Sequence, residues 1–78
     1  MVTKLKVEPA FWDDQEWGIQ HYGKLMDQYR NQWVAIIGQQ VVSHGYDMSR
    51  VEEEASQKSG RAKGQIPLIY VEAGNQIF

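Results

Sequence analysis

The sequence contains no cysteine. A disulfide framework and a thiolate zinc site are therefore both excluded. Its two histidines are too few for a structural metal centre. No apolar run approaches the roughly 18 residues that span a bilayer. The N-terminal stretch MVTKLKV lacks the long apolar core of a signal peptide. Excess charge is missing as well. Eight basic residues face ten acidic ones, for a formal net charge of -2, which gives no general attraction to nucleic acid or to an anionic membrane surface. These absences set the first expectations: no cofactor, no metal, no membrane, nucleic acid disfavoured as a partner, and a cytoplasmic location.

What is present is apolar bulk. Hydrophobic residues make up 42% of the 78 positions, with three Trp and four Tyr among them. A chain of this length buries only about 60–65% of its unfolded surface, so large aromatic side chains must supply much of the core. The length fits one domain over residues 1–78. Its stability has to come from packing, or from packing plus oligomerisation.

Residues 1–10 stand open between a flexible arm and a short strand with Leu5 and Val7 opposite Lys4 and Lys6. A first helix is expected from Asp14 to Arg30. Asp13 would cap it, Glu16 would return the capping-box contact, and Trp12 and Trp17 have the spacing of a hydrophobic staple. Tyr22, Leu25, Met26 and Tyr29 mark its apolar face, while Gly18 and Gly23 weaken it by about 1 kcal/mol each relative to Ala. Trp33–Ile37 is aromatic and β-branched and reads as a strand. Gly38–Gln40 makes a tight turn, and Val41–His44 completes a hairpin. Asp47 is a natural cap for a second helix, with Met48, Val51 and Ala55 as its buried stripe and Gly60 as its C-cap. After a loop over residues 61–65, Ile66–Glu72 reads as the last strand, with Pro67 pointing to an edge or a strand start. Gly74 and Asn75 suggest a turn, and Ile77 and Phe78 a docked C-terminus.

The expected fold class is α+β: a small α-β-β-α-β domain with two helices and, if residues 2–7 pair, an extra N-terminal strand. A right-handed crossover through the second helix makes strand 3 parallel to strand 2, so the three-stranded sheet has the order 2-1-3, with strands 1 and 2 an antiparallel hairpin. Both faces of this sheet are apolar. Trp33, Ala35 and Ile37 oppose Val34 and Ile36, and Leu68 and Tyr70 oppose Ile69 and Val71. Both faces need cover. Either the helices divide between them, or a second subunit or the aromatic N-terminal segment covers one. Self-association, as a dimer first, is expected on this ground.

The run Trp33-Val-Ala-Ile-Ile-Gly38, then Val41-Val42-Ser43-His44-Gly45, then Asp47 opening a helix, resembles a small bacterial and archaeal family. That family's pattern is a short helix, "WVAI", a turn, "VVAHG", an Asp, a helix and a "PLI"-type strand, here supplied by Pro67-Leu68-Ile69. The resemblance covers about residues 22 to 72. The family is a domain of unknown function, so the resemblance implies the fold outline and no activity. The Trp-rich segment from Phe11 to Trp17 lies outside it.

Five features compete to carry function. His44 and Asp47 are the most enzyme-like pair, a strand-end imidazole with a carboxylate three positions on. The structural reading takes precedence: His44 closes the hairpin and Asp47 caps the helix. His21 reads as an exposed helical histidine. Glu52, Glu53 and Glu54 point in different directions around a helix and cannot converge on one ion. Lys58, Arg61 and Lys63 place three of the eight basic residues within six positions. That segment lacks the phosphate-loop pattern and follows a helix C-terminus, the wrong dipole end for an anion. Phe11, Trp12, Trp17, Tyr22 and Tyr29 are the most unusual concentration, either core or binding surface. The leading expectation is a non-catalytic protein-interaction or regulatory module, self-associating or with a protein partner, engaged through sheet edges or the aromatic surface. The alternatives are a nucleic-acid-binding module using the basic loop at residues 58–64, and an enzyme or small-ligand-binding domain around His44. No catalytic, cofactor or metal residue is assigned.

Overall fold

A computed structural model describes residues 9–72. They form helices α1 (Pro9–Gln20) and α2 (Tyr22–Gln28), strands β1 (Gln32–Ile36) and β2 (Val41–Gly45), helix α3 (Met48–Ser59), a 3-10 turn at Lys63–Gln65, and strand β3 (Leu68–Val71). The expectations for residues 1–8, for the turn at Gly74 and for Ile77 and Phe78 lie outside the described residues. The fold is α+β, with a three-stranded antiparallel sheet in the order β2-β1-β3. Strand β3 therefore runs parallel to β2, as the sequence indicated.

The expected first helix is two helices, and it begins earlier, at Pro9. Proline suits the first helical position because its missing N–H has no partner there and its φ is already helical. Asp13 consequently lies inside α1 and is not its cap. Trp12 is 56% exposed and meets Phe11 edge to face at 5.0 Å, while Trp17 stacks on His21 at 4.4 Å, in place of the expected staple. Helix α1 ends at His21, whose φ is -105 and ψ 19. Both its backbone N–H, at 3.0 Å, and its ring Nδ1, at 2.8 Å, meet the Trp17 carbonyl. Helix α2 restarts with the N–H groups of Lys24 and Leu25 both donating to the His21 carbonyl at 3.0 Å. It stops at Gln28, short of the expected Arg30, and Asn31 turns the chain into β1 with a left-handed φ of 58.

The hairpin turn has two central residues of positive φ, Gly38 at 67 and Gln39 at 60, closed by the Ile37 N–H on the Gln40 carbonyl at 3.0 Å. That is the turn class whose twist matches paired strands. The pairing skips from Ala35↔Ser43 to Ile36↔Val41, so Val42 is the extra residue of a bulge. Helix α3 follows the expected caps. The Asp47 carboxylate accepts from the N–H groups of Ser49 at 3.0 Å and Arg50 at 3.4 Å, and Gly60 takes φ 80. Its buried residues are Val51 and Ala55, and Met48, expected in the stripe, is exposed. Strand β3 starts one residue after Pro67, whose carbonyl accepts from the Ile36 N–H at 3.2 Å.

The helices divide between the two sheet faces. On one, α1 and α2 bring Trp17, Leu25, Met26 and Tyr29 against Val34, Ile36, Val41, Ile69 and Val71. On the other, α3 brings Val51 and Ala55 against Trp33, Ala35, Ile37, Val42 and Leu68, with Ile66 alongside. Val34, Ala35 and Ile36 are fully buried in consequence. Helix α1 approaches closely at Gly18, where a Cβ would run into the Cδ1 atoms of Ile36 and Ile69. This packing is the reason for a glycine within that helix.

Candidate functional site

The structure does not join His44 to Asp47. The Asp47 carboxylate serves α3. His44 turns to the α2 face, with its Nδ1 2.9 Å from Gln32 Oε1 and its ring 4.7 Å from that of Tyr29. The basic loop is also largely committed. Lys58 Nζ donates to the Val42 carbonyl at 2.9 Å. The Arg61 guanidinium lies 3.4 Å from Asp14 Oδ2 and donates to the Gln65 carbonyl at 3.3 Å. Lys63 alone of the three is exposed without a partner of this kind among the described residues.

The aromatic concentration separates by role. Trp12 faces solvent with Phe11 at its edge, whereas Trp17 and Tyr29 are half-buried against the core. Tyr22 closes a sheet edge. Its hydroxyl donates to the Tyr70 carbonyl at 3.3 Å and accepts from the Glu72 N–H at 2.8 Å. The Pro67 and Val71 carbonyls accept from Ile36 and Asn31, on the β1 side. By strand alternation, Tyr70 and Glu72 turn outward to the open edge.

Asp14 is the residue that sequence reasoning missed. It is 3% exposed, and its carboxylate accepts from the N–H groups of Gly38 at 3.1 Å and Gln39 at 3.0 Å while facing Arg61. One side chain thus ties α1 to the hairpin turn and to the segment after α3. The available signal was its spacing of four from Gly18, which places both on one helix face. A helix starting at Pro9 makes that face inward.

One concavity among the described residues lies between α2 and the hairpin turn. It is a shallow groove of about 340 Å³, lined by Trp17, His21, Lys24, Leu25, Gln28, Tyr29, Gln39, Gln40 and Val41. Leu25 belongs to the core and gives it a buried apolar floor. Trp17 and Tyr29 supply aromatic walls, and the amides and Lys24 form a polar rim. A carbonyl only accepts, so in the contact with Trp17 the His21 Nδ1 is the donor. The pair Arg61–Asp14 is the ion pair among the described residues, so Lys24 has none there. Beyond Trp17 lies a second hollow of about 270 Å³, lined by Asp13, Glu16, Trp17, Gln20 and Gln39. Among the described residues no group of three or more His, Asp or Glu is placed to hold a metal ion, and no helix is long and apolar enough to cross a membrane.

A family of unknown function, DUF5678, matches residues 24–72, more than half of the chain. The chain belongs to this family. The DUF5678 match takes in the whole sheet, α3 and five of the seven residues of α2, and agrees with the resemblance read from Trp33 to Ile69. Helix α1 lies outside it, together with Asp14, Trp17 and His21. The groove therefore joins DUF5678 residues to two residues that precede the match. No curated protein and no solved structure matches the chain.

Proposed function

We propose that this DUF5678 chain is a non-catalytic binding module that seats its partner in the groove between α2 and the hairpin turn. The observation that carries this reading is Gln39. A non-glycine residue at φ 60 is destabilising by about 1 kcal/mol or more. Glycine or asparagine is the usual occupant of such a turn position. The strained residue is a glutamine that lines the groove and the hollow adjoining it, and such strain concentrates at functional sites. The polar groups best suited to chemistry favour the same reading. Asp14, Asp47 and Ser43 all hold backbone groups of this chain.

The reading is tested by titrating the isotopically labelled chain with mixtures of small polar and aromatic compounds and following amide and side-chain NMR signals. Shifts confined to Trp17, Gln28, Gln39 and Gln40 are expected. Shifts confined to the basic loop or to the surroundings of His44 would overturn it in favour of those sites. The nucleic-acid reading draws less support, because Lys58 and Arg61 are engaged within the chain. The dimer reading rested on an uncovered sheet face, and α1, α2 and α3 supply that cover.

A further inference from the structure

We infer that the groove selects a small aromatic carboxylate. This inference rests on the groove being the binding site and adds the chemistry of its ligand. A volume of about 340 Å³ falls at the small end of ligand sites and suits one or two rings. One face of the Trp17 ring is held by His21, stacked at 4.4 Å with 23° between planes. The indole is therefore fixed in place before a ligand arrives, and a planar ring finds aromatic walls and the Leu25 floor. Charge then sets the polar end. Among the described residues, Lys24 is the one lining residue with a permanent charge, and no carboxylate lines the groove. The amides of Gln28, Gln39 and Gln40 add hydrogen-bond donors around it. Cations have a different destination: Asp13 and Glu16 line the adjoining hollow, which shares Trp17 and Gln39 with the groove. The sign of a ligand's charge thus decides which of the two hollows it occupies.

The test uses the full chain and three probes of one shape: indole-3-acetate, its neutral amide, and the cation tryptamine. Indole-3-acetate should shift Lys24, Gln39 and Gln40 signals and bind about fivefold more tightly than the amide, the scale of one solvent-exposed charge pair. The preference should shrink as salt is raised. Tryptamine should instead shift Asp13 and Glu16. Lys24 is exposed, so Lys24→Gln should fold normally and bring indole-3-acetate down to the level of the amide. Equal binding of acetate and amide at the groove would overturn the carboxylate assignment and leave the groove as the binding site. A preference that persists in Lys24→Gln would overturn it in the same way. Failure of all three probes to shift groove signals at millimolar concentration would overturn both.

Discussion

The Asp14 carboxylate is buried, and its contacts reach two distant parts of the chain. Gly38 and Gln39 lie 24 and 25 positions away, and Arg61 follows α3. Asp14→Ala leaves two N–H groups and a guanidinium facing a site that water reaches poorly. The expected loss is about 2–4 kcal/mol, read as a fall in Tm of at least about 10 °C; a change under about 2 °C would remove Asp14 from this role. Gln39 behaves oppositely. Gln39→Gly relieves the left-handed strain and should raise stability by about 1 kcal/mol in a urea titration, while weakening any ligand bound in the groove. These residues also mark what a sequence can disclose. Asp47 and Gly60 were legible because a cap acts within a few positions of itself. Asp14 was not, because its partners become neighbours only after the sheet and helices assemble. His21, read as an exposed helical histidine, is half-buried at the break between α1 and α2 and stacked on Trp17, four positions earlier.

At the scale of elements, the hairpin and α3 were readable because their signals are local: a β-branched run, a Gly turn, an N-cap and a C-cap. The first helical region was misread at both ends. Its Asp13–Glu16 spacing imitates a capping box, yet Pro9 had already opened the helix upstream. The break at His21 depends on a side chain meeting the Trp17 carbonyl, which no periodicity records. The two glycines in this region, equal as helix weakeners in the sequence, are unlike in the fold. Gly18 faces Ile36 and Ile69 with no room for a Cβ, whereas Gly23 has nothing within 4 Å of one. Gly18→Ala should therefore destabilise by about 1–3 kcal/mol through overpacking. Gly23→Ala should stabilise by about 0.4–1 kcal/mol by restricting the unfolded chain. Paired thermal melts check both, and equal shifts in one direction would contradict the close approach of α1 to the sheet.

The whole molecule answers the question that the two apolar sheet faces posed. Three helices cover both faces, Tyr22 meets one outward carbonyl of β3 and the N–H that follows the strand, and Lys58 meets β2 at its bulge. A bulge on an edge strand, with a lysine from the neighbouring helix on its carbonyl, opposes pairing with another sheet. With both faces covered within one chain, the uncovered face that was the ground for expecting a dimer falls away. Sedimentation at micromolar concentration should then give a mass near 9.0 kDa. The same argument predicts when association should appear. The DUF5678 match begins at residue 24, so removal of residues 1–20 keeps all of the matched segment. It also removes Trp17, Gly18 and Asp14, and uncovers the parts of Ile36 and Ile69 that α1 packs against. That shortened chain should bind a hydrophobic dye, lose the cooperative melt of the full chain, and sediment above its monomer mass. A full chain that sediments as a dimer would mean that exposed apolar residues pair, with Trp12 and Ile19 on α1, or Tyr46, Met48 and Tyr70 at the opposite side, as the surfaces to substitute first. A shortened chain that stays monomeric and cooperative would show that α1 is dispensable as cover, and that Asp14 and Gly18 matter less to the sheet than their burial implies.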